Sequence, residues 1–65
     1  MRTLAGRTAV VTGAGSGIGR ATCELLCSRG VHLAAVDVSA DALAALADDL
    51  RPSGVRVSTH VVDVA

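Results

Sequence analysis

The stretch TAVVTGAGSGIG, residues 8–19, decides the fold. Its first five residues are apolar or β-branched, which is typical of a short strand buried on both faces. The next seven residues contain glycine at every second position, where regular structure breaks. After Ile18 the apolar residues recur three and four positions apart, as they do along one side of a helix. The stretch therefore predicts a strand, a glycine-rich turn and a helix.

The first helix is expected to carry one apolar stripe and to end near Gly30, a residue type that often follows a helix. Cys23 and Cys27 are expected to point away from this stripe, as two reduced thiols without a chemical role. They could form half of a metal site, but the sequence offers no further ligands at the spacing of a zinc finger, so no metal is predicted. The stripe consists of Ile18, Ala21, Thr22 and Leu25.

Two more strands and a second helix follow. Residues 31–36 form an apolar run that ends at Asp37, and residues 55–62 form a third strand before Asp63. Between them, Ser39 is a good N-cap for a helix that stops before Pro52. Strands that alternate with helices predict an α/β fold, here a Rossmann-type β-α-β-α-β half with parallel strands.

Such a half forms an incomplete doubly wound sheet. Right-handed crossovers put both helices on one face and leave the other bare, although the first two strands are apolar at nearly every position. We therefore expect residues 1–65 to be the N-terminal part of a single domain of a longer protein. The alternative is that the chain pairs with a partner that covers the bare face. A chain of 65 residues without Phe, Tyr or Trp is expected to be unstable alone.

Charge and hydropathy exclude several classes of partner. Six arginines balance six acidic residues, with no lysine and no basic stripe, so nucleic acid is not expected. No run approaches the roughly 18 apolar residues of a membrane span, and residues 1–7 lack the apolar core of a signal peptide. A cytoplasmic location is favoured.

The glycine turn suits an anion. Backbone N–H groups at a helix N-terminus attract phosphate, and glycine lets the ligand approach without a Cβ in the way. The spacing is Thr-Gly-x-x-x-Gly-x-Gly from Thr12 to Gly19, whereas the common pattern Gly-x-Gly-x-x-Gly is absent. A P-loop is excluded because the chain has no lysine. A dinucleotide is the expected ligand.

Asp37 stands where an acid at the end of a second strand accepts hydrogen bonds from the adenosine ribose. A carboxylate there also repels a 2′-phosphate, and the neighbouring residues Val36, Val38, Ser39 and Ser16 are not basic. NAD is therefore favoured over NADP. The alternative is that Asp37 only caps the following turn.

With these residues the chain resembles the N-terminus of a short-chain dehydrogenase/reductase. The match covers essentially the whole chain and is most specific at the glycine motif. The resemblance implies that Thr12 and Gly13 shape the turn and that Asp37 binds the ribose. It also implies that Asp63 and Val64 flank adenine, although Asp63 could be a solvated acid at the end of a strand. The residues implied around the phosphates are Ser16, Gly17, Ile18 and Gly19.

The family's catalytic Ser and Tyr-x-x-x-Lys pair lie further along its chains, and this sequence has neither Tyr nor Lys. No catalytic residue is therefore predicted here, and the 65 residues alone are expected to be inactive. The whole protein is expected to transfer hydride between the nicotinamide and an alcohol or carbonyl substrate, as a homo-oligomer.

Two alternatives remain. The chain could be a truncated or regulatory product that only binds dinucleotide, or binds nothing. The glycine turn also fits methyltransferases that use S-adenosylmethionine, but these usually have an acid two positions before the first glycine, where this chain has Val11.

Overall fold

The computed structural model describes residues 2–4 and 8–63. Four strands and two helices follow one another in the order β1, β2, α1, β3, α2, β4, with one turn of 3₁₀ helix after α2. Their bounds are β1 Arg2–Leu4, β2 Thr8–Thr12, α1 Gly17–Ser28, β3 His32–Asp37, α2 Ala40–Leu50, the 3₁₀ turn Arg51–Ser53 and β4 Val57–Val61.

The strands form one sheet in the order β1-β2-β3-β4. Strands β2, β3 and β4 are parallel, which confirms the predicted β-α-β-α-β half. The sequence reading did not include β1, which pairs antiparallel with the outer edge of β2. The strand predicted at 55–62 is shorter, because residues before Val57 leave the 3₁₀ turn through Gly54 at φ 82°.

Both helices pack on one face of the sheet, as the crossover argument predicts. Alternate residues of β2 and β3 point into one core with residues of α1 and α2, so a single hydrophobic layer lies between sheet and helices. Val10, Ala34 and Val36 alternate with these core residues and are only half-buried. The core consists of Ala9, Val11, Ala14, Cys23, Cys27, Leu33, Ala35, Leu43, Leu46 and Leu50.

The predicted orientation of α1 is wrong. Ile18 is 87% exposed and Leu25 is 53% exposed, whereas Cys23 is fully buried in the core. The inward face runs through Gly19, Cys23 and Cys27, because free cysteine packs as a small hydrophobic residue and glycine allows close contact. Burial raises the pKa of Cys23 to about 11 and also raises that of Cys27, so both thiols are protonated at neutral pH.

The ends of the helices follow the sequence signals. Gly30 has φ 76°, its N–H donates to the carbonyl of Cys27, and the N–H of Val31 donates to the carbonyl of Leu26. This is the Schellman arrangement of a helix C-terminus. At the start of α2 the N–H of Ala42 donates to Ser39 Oγ at 3.1 Å, which confirms the predicted N-cap. In the described part of the chain, neither helix has the length and apolar content of a membrane span.

Candidate functional site

The carboxyl ends of the three parallel strands meet at one edge of the sheet. Thr12 at the end of β2 pairs with Val36, and Asp37 at the end of β3 pairs with Val61 of β4. Ligands of open α/β sheets bind at this edge. The glycine turn, Asp37 and Asp63 therefore follow neighbouring strands at the edge where a ligand is expected.

The four glycines of the turn serve two different physical purposes. Gly13 at φ 64° and Gly17 at φ 44° have left-handed backbone that favours glycine, with open space around each. At positions 15 and 19 glycine is required because neighbouring atoms leave no room for a Cβ. A Cβ at Gly15 would lie 2.5 Å from the Cβ of Ala42, and one at Gly19 would overlap the carbonyl oxygen of Gly13. The turn thus lies directly against both helices.

The N-terminus of α1 lacks a side-chain cap. Ser16 occupies the N-cap position in extended conformation, but its side chain accepts no hydrogen bond there, and the first turn contains no acidic residue. The Ser16 hydroxyl reaches only the carbonyl of Gly13, at 3.5 Å. The first N–H groups of a helix have no intrahelical acceptor and carry partial positive charge. This helix end can accept an anion.

An open cleft of about 490 Å³ lies in front of this helix end. The six residues predicted from the glycine motif all line it, so the structure brings them together. Val11 and Thr22 also line the cleft. Sequence reasoning assigned them to the strand and to the apolar stripe, although the position of Thr22 one helical turn after Ile18 could have indicated its place. The six are Thr12, Gly13, Ser16, Gly17, Ile18 and Gly19.

The Asp37 carboxylate points at the glycine turn. Its Oδ2 accepts from the N–H of Gly15 at 2.8 Å, and its Oδ1 accepts from the N–H of Ser39 at 3.0 Å. The bonds from Ser39 and Gly15, with a further one from Val38, lower the pKa of this carboxyl against its partial desolvation. Asp37 is therefore ionised at neutral pH. Its carboxylate caps the turn that follows β3 and also contacts the glycine turn.

Asp63 lies exposed just beyond β4, where the N–H of Val62 extends the pairing by donating to the carbonyl of Asp37 at 3.0 Å. Val64, predicted beside it, lies outside the described residues. Arg20, the first arginine after the turn, forms ion pairs with Glu24 and with Asp49 of α2. Among residues 2–4 and 8–63 no cluster of three or more His, Cys, Asp or Glu residues is placed to hold a metal.

The family model for short chain dehydrogenase matches residues 7–65. The chain belongs to this family. A short-chain type dehydrogenase/reductase of Sinorhizobium fredii, described as uncharacterized, is 53% identical over 60 residues, covering 89% of this chain and 23% of the relative.

Two solved structures extend the comparison. A short-chain dehydrogenase/reductase from Burkholderia phymatum in complex with NAD is 46% identical with a TM-score of 0.83, covering 89% of this chain and 21% of that one. L-Sorbose reductase from Gluconobacter frateurii, complexed with NADPH and L-sorbose, is 41% identical with a TM-score of 0.84, covering 89% and 22%. This chain thus spans under a quarter of each of these relatives and corresponds to an N-terminal segment of the family.

Proposed function

We propose that this chain binds the ADP half of NAD and that α1 holds the pyrophosphate. The observation that carries the proposal is the uncapped N-terminus of α1, which opens on a cleft lined by the glycine motif. The amides of Gly17, Ile18 and Gly19 bind the phosphate oxygens, and the Ser16 hydroxyl donates a further hydrogen bond. Thr12 and Gly13 hold the turn in place.

The ribose and adenine follow along the sheet edge. Asp37 accepts hydrogen bonds from the ribose hydroxyls. The N–H groups of Gly15 and Ser39 each bind one carboxylate oxygen, and each oxygen keeps a lone pair for a further donor. Its negative charge opposes a 2′-phosphate, so NAD is preferred although relatives bind NAD or NADPH. Asp63 and Val64 flank the adenine ring.

The bound nicotinamide supplies hydride chemistry toward an alcohol or carbonyl substrate. Residues 1–65 contribute cofactor binding and no catalytic group, because they contain neither Tyr nor Lys. The proton-transferring residues belong to the complete product of the gene, which acts in the cytoplasm as a homo-oligomer. A chain without those residues would be a non-catalytic dinucleotide binder.

Isothermal calorimetry of the complete gene product with NAD and with NADP tests the binding proposal. We expect NAD to bind at least about tenfold more tightly, a difference of about 1.4 kcal/mol. Equal affinities would contradict the role of Asp37 in cofactor choice, and no binding of either dinucleotide would contradict the proposed function.

The catalytic proposal has a separate test. The complete gene product is expected to contain a Tyr-x-x-x-Lys pair and to reduce NAD in the presence of a suitable alcohol, whereas residues 1–65 alone produce no NADH. Absence of the pair from the complete coding sequence would contradict the catalytic proposal and would support a protein that only binds a dinucleotide.

A further inference from the structure

A closed ring of contacts joins the glycine turn to the first turn of α2. The N–H of Gly15 donates to Asp37 Oδ2 at 2.8 Å, and the N–H of Ser39 donates to Asp37 Oδ1 at 3.0 Å. The N–H of Ala42 donates to Ser39 Oγ at 3.1 Å. The ring closes where Ala42 packs on Gly15, since a Cβ on Gly15 would come within 2.5 Å of the Ala42 methyl.

The hydrogen bonds and the methyl group act in opposite directions. The bond from Gly15 to Asp37 draws the glycine turn toward α2, and the Ala42 methyl limits how far the turn can approach. Helix α2 cannot move away from the turn without disturbing the core, because Leu43 is 1% exposed and Leu46 is fully buried. Extra volume at position 42 must therefore displace the turn, since close-packed cores resist added atoms.

Ala42 itself lies behind the cleft. It is half-buried, and neither it nor Gly15 is among the residues that line the cleft in front of α1. Residue 42 therefore does not line the part of the site that we propose holds the phosphates. Its influence passes through Gly15 to the flanking residues Gly13 and Gly17, whose left-handed backbone determines where the amides of α1 point.

We propose that Ala42 is a positioning residue of the dinucleotide site, whose small side chain fixes the distance between the glycine turn and α2. This inference rests on the proposed function of the turn. It predicts that the size of residue 42 controls dinucleotide affinity although that residue does not line the cleft in front of α1.

The matched pair Ala42→Val and Ala45→Val tests this in the complete gene product. Both place a β-branched residue in α2, with the same small cost in helix propensity, but Ala45 is exposed. We expect calorimetry to show NAD binding weakened about tenfold by Ala42→Val and unchanged by Ala45→Val. Unchanged affinity in Ala42→Val would overturn the inference while leaving the proposed function intact. Failure of the unaltered protein to bind NAD would overturn the proposed function itself.

A compensating pair keeps the test decisive if Ala42→Val does not fold. Gly15→Ala is expected to lose most NAD affinity, and adding Ala42→Gly removes the methyl that the new Cβ meets. The double variant should regain at least about threefold of the lost affinity, although the Asp37 carboxylate, 3.1 Å from the added Cβ, limits full recovery. No recovery in a folded double variant would overturn the inference.

Discussion

The two helices begin at the same edge of the sheet, but their N-termini are built differently. At α2 the Ser39 hydroxyl accepts from the N–H of Ala42, and Asp41 adds negative charge in the first turn. At α1 Ser16 occupies the same position without a capping bond, and the first turn contains no acidic residue. The first turn of α1 consists of Gly17, Ile18 and Gly19, whereas the first turn of α2 contains Asp41.

The difference separates a helix end stabilised by its own side chains from one left open to a ligand. A side-chain cap and a nearby carboxylate satisfy the free N–H groups and offset the helix dipole. The carboxylate would also repel a phosphate, and the capping hydroxyl occupies an N–H group that a phosphate would otherwise bind. The chain thus stabilises the start of α2 internally, whereas the uncapped start of α1 is the end that we propose binds the phosphates.

The largest expected effect comes from adding a methyl group at position 19, where α1 packs against the glycine turn. Gly19→Ala places a Cβ against the Gly13 carbonyl oxygen and 2.7 Å from its carbon, both rigid backbone atoms. Overpacking of this kind costs about 1–3 kcal/mol. We expect a lower free energy of unfolding in urea and at least about a tenfold loss of NAD affinity. Normal affinity in a folded variant would contradict the close contact between helix and turn.

The next effect separates the two acids near α2. Asp37→Asn removes the negative charge that accepts from Gly15 and Ser39, and hydrogen bonds to a charged acceptor are stronger than those to a neutral one. We expect calorimetry to show NAD affinity falling about tenfold and the preference over NADP disappearing. Asp41→Asn, in an exposed acid of the same helix end, is the control and should leave both unchanged. A retained preference in Asp37→Asn would show that another group excludes NADP.

The smallest effect distinguishes the two serines. Ser39→Ala removes the N-cap of α2 and should lower the free energy of unfolding by about 1 kcal/mol. Its backbone N–H still binds Asp37, so NAD affinity should fall less than in Ser16→Ala. Ser16→Ala removes no capping bond, so stability should stay constant while NAD binding weakens about threefold from one lost hydrogen bond. Denaturation in urea and calorimetry measure the two quantities. A reversed pattern would contradict the comparison of the two helix ends.

Local signals in the sequence were enough to predict much of the fold. The strands of the parallel half, the Ser39 cap and the Gly30 terminus depend on nearest neighbours and on residue conformation, and the structure confirms them. The side of α1 that packs inward was predicted wrongly, because hydropathy favoured Ile18 and Leu25 over Cys23. The close contact between Gly19 and Gly13 determines which side of α1 faces the core. Hydrophobic periodicity carries no information about that contact.

The site was predictable where one motif contains it. The residues from Thr12 to Gly19 are contiguous, so their grouping around the cleft follows from the turn itself. The contact between Gly15 and Ala42 joins residues that are far apart in the chain, and only the tertiary structure shows it. The sequence left two roles open for Asp37, which were to bind the ribose or to cap the turn that follows it. In the structure one carboxylate oxygen accepts from Ser39 in that turn, and the other accepts from Gly15 in the glycine turn.

Amide NMR of the complete gene product during titration with NAD tests the central claim most directly. The account predicts that the amide resonances of Gly17, Ile18 and Gly19 at the start of α1 shift strongly, while those of Leu43 and neighbouring residues at the start of α2 shift little. Equal shifts at both helix ends, or saturable NAD binding that leaves the amides of α1 unchanged, would contradict it.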